Sequence, residues 1–148
     1  MKQHPMQKAT TLGYTADSLG EVPIGAVIVR NGKIIASAYN TREKDQIATH
    51  HAEIKAIEKA NKKLKSWRLD DCDMYVTLEP CPMCAGAIIN ARIKNLFYAV
   101  KDTASGGITR FNILENTLNH TTTATQLTDY ETENTTLIKN FFKQKRKK

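Results

Sequence analysis

The chain reads as an α/β protein of three layers, α/β/α, with helices on both faces of a mixed five-stranded sheet. Three observations carry that reading. Apolar residues at Met6, Ala9, Leu12, Ala16 and Leu19 recur every three to four positions and so share one helical face. Two apolar runs, at 24–30 and 33–39, are joined by Asn31-Gly32, the strongest short-range signal for a tight hairpin. Helical and strand patterns then alternate, an order that puts helices on both faces of a sheet and gathers ligand-binding residues at one sheet end.

The first helix is expected to stop at Gly20. Residues 40–49 are polar and read as irregular. A second helix begins near His51, presents Ile54, Ala56, Ile57 and Ala60, and fades at Asn61. Trp67-Arg68-Leu69 and Asp70-Asp71 form a connection, and Met74-Tyr75-Val76-Thr77-Leu78 reads as a buried strand. Pro80 breaks that strand, and Pro82 suits the first position of a helix, where its missing N–H is no loss. Residues 95–100 make the next strand, 101–109 a glycine-containing loop, 111–114 a short helical turn and 122–127 a threonine-rich strand. Thr128 and Glu131 have the spacing of a capping box, opening a last helix to about Lys145 that carries Leu137, Ile138, Phe141 and Phe142.

With 148 residues, of which 41% are hydrophobic, the chain fits one domain spanning residues 1–148. It contains no run of eighteen or more apolar residues and no secretory pattern at its start, so neither a membrane partner nor export is expected, and the cytoplasm is the expected location. Three cysteines suit a reducing compartment better than a disulfide scaffold. The net charge of +7 is uneven: without Lys143, Lys145, Arg146, Lys147 and Lys148 it falls to +2. Most of the basicity therefore belongs to a C-terminal helix and tail, about residues 129–148, able to collect phosphates or to serve as a solvated terminus.

The chemistry is concentrated in His51-Ala52-Glu53 and Pro80-Cys81-Pro82-Met83-Cys84. Two thiolates and one imidazole, from Cys81, Cys84 and His51, make a ligand set that suits zinc. No fourth ligand is evident, since what remains is Cys72, His4, His50 and His120. Three protein ligands mark a catalytic zinc site, which keeps its fourth position for water, whereas structural sites are closed by four side chains. Thiols in the first turn of a helix ionise more readily at the positive end of its dipole. Glu53, two residues after the imidazole, is placed to move protons without being a ligand. A redox cysteine pair, a structural zinc site and a zinc-stabilised RNA-binding module are the alternatives that the same residues leave open.

H-x-E followed by P-C-x-x-C is the signature of zinc nucleobase deaminases. The chain resembles the bacterial tRNA-specific adenosine deaminases of the cytidine deaminase-like superfamily. The resemblance rests on Gly20-Glu21-Val22-Pro23-Ile24-Gly25-Ala26-Val27, Asn40, His51-Ala52-Glu53-Ile54, Trp67-Arg68-Leu69, residues 77–88, Leu118-Asn119-His120, and Phe141-Phe142 with the basic residues after them. It implies a cytidine deaminase-like fold, one Zn2+ per subunit and a homodimer that converts adenosine to inosine at the wobble position of the tRNA anticodon stem-loop, with no nucleotide cofactor. By position, His51, Cys81 and Cys84 would hold zinc and Glu53 would shuttle protons. Asn40 would bond the flipped base, Ala52 would offer a backbone group and Asp102 would reach a neighbouring ribose. Phe141 and Phe142, with Lys145 or Arg146, would hold the anticodon loop.

Two stretches depart from the family pattern. Ile47-Ala48-Thr49-His50 stands where the family has Asp-Pro-Thr-Ala, creating a His50-His51 pair in which spacing to Glu53 assigns the metal to His51. Ser105-Gly106-Gly107-Ile108-Thr109 is one residue shorter than its family counterpart. A zinc deaminase acting on free guanine, cytosine or a nucleotide is the rival reading, since Cys-Pro-Met-Cys also suits guanine deaminases.

Overall fold

The computed structural model describes residues 3–114 and 120–146, with the side chain of Arg146 outside that description. Leu118, Asn119, Lys147 and Lys148 also lie outside the described residues. Helix α1 (Pro5–Ser18) starts with proline in its first turn, and His4 Nδ1 accepts from Met6 N at 3.0 Å as its cap. Strands β1 (Gly25–Arg30) and β2 (Lys33–Tyr39) form the expected hairpin. Its turn residues, Asn31 and Gly32, have φ of 52° and 73°, the left-handed pair that a twisted two-residue hairpin turn needs.

A short helix α2 (Arg42–Asp45) interrupts the stretch expected to be irregular. Its cause is remote in sequence: the buried Glu21 carboxylate accepts from Glu43 N at 3.1 Å and from Lys44 N. Helix α3 (Ala52–Leu64) leads to β3 (Cys72–Leu78), then α4 (Pro82–Asn90), β4 (Asn95–Val100) and β5 (Thr123–Gln126). Residues 111–114 are turns, not a helical turn. The expected capping box is not made. Thr128–Tyr130 is a 3-10 turn before α5 (Glu131–Arg146), and Glu131 Oε2 instead accepts from Gln126 Nε2 at 3.0 Å.

The sheet order is β2-β1-β3-β4-β5, with β1 antiparallel to both neighbours and β3, β4 and β5 parallel. Helix α4 makes the crossover between β3 and β4, as a parallel pair requires. Alternate residues of β1 divide the core: Ala26 and Ile28 join a cluster with Ala56 and Ile57 of α3 and Ile88 of α4, whereas Val27 and Val29 meet Met6 and Ala9 of α1. Burial on both faces is why β1 reads as a continuous apolar run instead of an alternating one. Helix α5 packs on α1, where the buried Asn134 donates to Thr10 Oγ1 at 3.0 Å. At the β2 border, Lys59 Nζ donates to Ser37 O at 2.9 Å and Lys55 Nζ reaches Tyr39 O at 3.4 Å. The N-termini of α3 and α4 meet at one end of this frame.

Candidate active site

Two helix starts build the centre. His51 is the residue before α3, and Cys81 is the residue before α4, whose first position is Pro82 as the sequence predicts. Cys84 follows one turn into α4, on the same side as Cys81. His51 Nδ1 lies 3.7 Å from Cys81 Sγ and 3.5 Å from Cys84 Sγ, and the three donor atoms all fall within 4.8 Å of one another. Tetrahedral zinc with ordinary Zn–N and Zn–S bonds separates nitrogen from sulfur by about 3.6 Å. The three side chains therefore fit the ion. His50 turns elsewhere, its Nδ1 2.7 Å from Asp45 Oδ2, and Cys72 is buried in the core.

The electrostatics follow from crowding thiols, imidazole and carboxyl at two helix starts. Cys81 is held down to about 4, first by the Cys84 thiol and then by the His51 imidazole. Cys84 is pushed well above the usual thiol range, by its hydrogen bond with Cys81 and by burial. The bond to Cys81 raises His51 above the usual imidazole value. Glu53 is 4% exposed, and burial pushes its carboxyl up to about 7. A carboxyl poised there is matched to proton transfer near neutral pH.

His51, Glu53 and Cys81 form the floor of a pocket of about 350 Å³, with Cys84 buried behind them. Val22, Ile24 and Leu78 give it apolar walls, while Asn40, Arg42, Asp102 and Ser105 supply polar groups, Ala52 lines it at the start of α3, and Phe142 closes one side. Asn40 also serves its own turn: its Oδ1 accepts from Arg42 N at 3.0 Å. Asp102 similarly organises its loop, with Oδ1 accepting from Ser105 N at 3.0 Å and Oδ2 from Ser105 Oγ at 3.1 Å. Adjacent helix residues point about 100° apart, so of the two phenylalanines only Phe142, 41% exposed, lines this pocket. Phe141 is buried, packs edge-on against Phe142 and carries Lys145 Nζ 5.4 Å from its ring centre. Phe141 and Lys145 line a separate recess with Asp17, Ser18 and Gly20.

Sequence reasoning assigned no role to Arg42, Ser105 or the buried Glu79, all of which line the pocket. For Glu79 a signal was present, namely a carboxylate at the end of a buried strand, where an acid is rarely left without a task.

The MafB19-like deaminase family model matches residues 1–146. The tRNA-specific adenosine deaminase of Bacillus subtilis (strain 168) is 46% identical over 117 residues, covering 78% of this chain and 73% of that protein. The chain belongs to the tRNA-specific adenosine deaminases, within the MafB19-like deaminases. A solved structure from studies of A-to-I editing by tRNA:A34 deaminases at the wobble position of transfer RNA shares the fold of this deaminase, with a TM-score of 0.86 and 36% identity, over 92% of this chain and 99% of that one. The guanine deaminase of Bacillus subtilis is 44% identical, with a TM-score of 0.65 over 69% of this chain and 67% of that one.

The 41–50 segment and the 102–109 loop are each held by a carboxylate in this deaminase. The 41–50 segment is tied together around Asp45, which accepts from the Thr41 hydroxyl at 2.6 Å and pairs with His50, while Lys55 Nζ donates to Thr41 Oγ1 at 2.7 Å. The 102–109 loop closes on Glu79, whose Oε2 accepts from Thr109 N at 2.7 Å. No helix among the described residues is long and apolar enough to cross a membrane.

Proposed function

We propose that residues 1–148 act as one zinc-dependent deaminase domain that converts adenosine to inosine at the wobble position of tRNA anticodons. The observation that carries this reading is the placing of His51, Cys81 and Cys84 at tetrahedral spacing beside the buried Glu53, with His51, Cys81 and Glu53 on the floor of a pocket with an aromatic wall. His51, Cys81 and Cys84 would hold one zinc ion per subunit. When bound, zinc supplies Lewis acidity, which brings the ionisation of water into the neutral range.

The remaining work falls to side chains. Glu53, with its carboxyl near neutrality, takes a proton from the attacking water and passes it to the ring nitrogen of adenine. After hydroxide has added at the amino-bearing carbon, the same carboxylate takes the second proton from that hydroxyl. It delivers this proton to the amino group as the C–N bond breaks, so that adenosine and water give inosine and ammonia. Asn40 offers the base an amide, which carries both donor and acceptor. Ala52 occupies the first position of α3, where a backbone N–H has no intrahelical partner. Asp102 faces the ribose of a neighbouring nucleotide. Phe142 stacks a base, Phe141 supports that ring from behind, and Lys145 and Arg146 neutralise phosphates of the anticodon loop. A homodimer and a cytoplasmic setting complete the reading.

Likeness to guanine deaminase favours a second reading, turnover of a free base in the same pocket. Parallel incubation with total tRNA, free adenosine, guanine and cytosine separates the two. Inosine at the anticodon with free bases untouched supports tRNA editing. Guanine turnover with tRNA unchanged replaces it with the second reading.

A further inference from the structure

Two buried glutamates take no part in the proton transfer just described, Glu21 at 2% and Glu79 at 1% exposure. Glu21 holds α2, on the Asn40 side of the pocket. Glu79 sits between β3 and the zinc-ligand segment, and among the described residues its carboxylate takes its hydrogen bonds from the 102–109 loop. Oε1 accepts from Asp102 N at 3.1 Å and Thr109 Oγ1 at 2.6 Å, and Oε2 accepts from Ile108 N at 3.0 Å and Thr109 N at 2.7 Å. A carboxylate has about four lone-pair sites, so these four donors leave none for substrate or proton transfer. Neither ion pair among the described residues involves Glu79, and the four loop donors compensate its burial.

We propose that Glu79 is the positioning residue of the substrate loop, fixing Asp102 and Ser105 against the pocket before the nucleotide arrives. This rests on the tRNA-editing reading above for the identity of the substrate. The loop is built around the carboxylate: a Cβ on Gly106 would collide with Glu79 Oε2 and with Asp102 O. Gly107 N also donates to Pro80 O at 2.7 Å, tying the same loop to the residue before the first thiol ligand. A preformed loop spares the substrate the entropy of ordering it, so its loss is felt in binding more than in the chemical step.

Two variants of the zinc-loaded full chain test this from opposite sides. Glu79→Gln replaces two acceptor oxygens with one acceptor and an amide NH2, a donor that would face the loop's N–H groups. Gly106→Ala forces the loop from the carboxylate while leaving Glu79 intact. Both are expected to raise KM for an anticodon stem-loop about tenfold or more, with kcat within about threefold of the parent and zinc content unchanged. Glu79→Asp, which keeps the charge, should recover part of the loss. Unchanged KM in Gly106→Ala, or zinc lost in step with activity, overturns the proposal; if Glu79→Gln does not fold, Gly106→Ala decides. Hydrogen exchange at Ile108 and Thr109 needs no substrate: their protection should disappear in the variants, and its persistence also overturns the proposal. An inactive parent chain, by contrast, removes the tRNA reading and leaves the exchange result standing.

Discussion

Replacing Glu53 with glutamine separates proton transfer from metal binding within one pocket. Glu53 is 4% exposed, and glutamine has nearly its shape, so the substitution leaves no cavity and removes only the ionisable group. The side chain is not among the His51, Cys81 and Cys84 donors, so zinc should remain at one ion per subunit. General acid–base catalysis by a positioned side chain contributes about 10²- to 10⁴-fold, equivalent to about 2.7–5.4 kcal/mol of barrier. Here one carboxyl serves both as base toward water and as acid toward the ring and leaving nitrogens, which places the expected loss in kcat at the upper end of that range. Single-turnover inosine formation on an anticodon stem-loop, with elemental analysis of the same preparation, gives both quantities. Turnover within about threefold of the parent, or zinc loss matching the activity loss, would refute the shuttle assignment.

Three further outcomes are expected. His51→Ala should lose zinc whereas His50→Ala should keep it, as read by elemental analysis, because only the His51 ring stands among the thiols. Deleting residues 143–148, which removes five basic residues, should weaken tRNA binding and flatten its salt dependence by about 0.7–0.9 log units per lost phosphate contact, as measured by filter binding across salt concentrations. In chelator-treated protein, burial lifts the Glu53 carboxyl from 4.5 to about 7, so the folded chain keeps a proton that the unfolded chain has lost. That contribution to stability is full below pH 4.5 and lost as pH rises through about 7. Cys81, held down to about 4, contributes in the opposite direction, with stability present above the ordinary thiol range and lost as pH falls through about 4. Urea unfolding of the parent and Glu53→Gln side by side isolates the first effect: their stability difference should shift against the parent between those limits.

Features with a local signature were legible in the sequence. Asn31-Gly32 marked the hairpin, Pro82 the start of α4, and the His51-x-Glu53 and Cys81-x-x-Cys84 spacings the two halves of the site, because each depends on geometry within a turn or two of chain; that the halves meet across thirty residues is the work of the fold. What escaped depends on distant partners. Helix α2 exists because Glu21 accepts from Glu43 N and Lys44 N more than twenty residues away, and the register of β5 against β4 follows from packing. Thr128 and Glu131 show the converse, a correct local pattern whose carboxylate was taken by Gln126 across a turn. The separate fates of Phe141 and Phe142 also required coordinates, since both fit the helical face and only three-dimensional placement shows which ring reaches the pocket.

The lysine contacts at Ser37 and Tyr39 bear on self-association. β2 ends the sheet, and an uncovered terminal strand is a template on which another chain can lengthen it. Here two of its carbonyl groups already hold ammonium donors from α3, so a visiting strand would have to displace both and bring their charges close. The helix whose first turn frames the metal site thus discourages, through Lys55 and Lys59 one turn apart, fibril-like stacking of one molecule on the next.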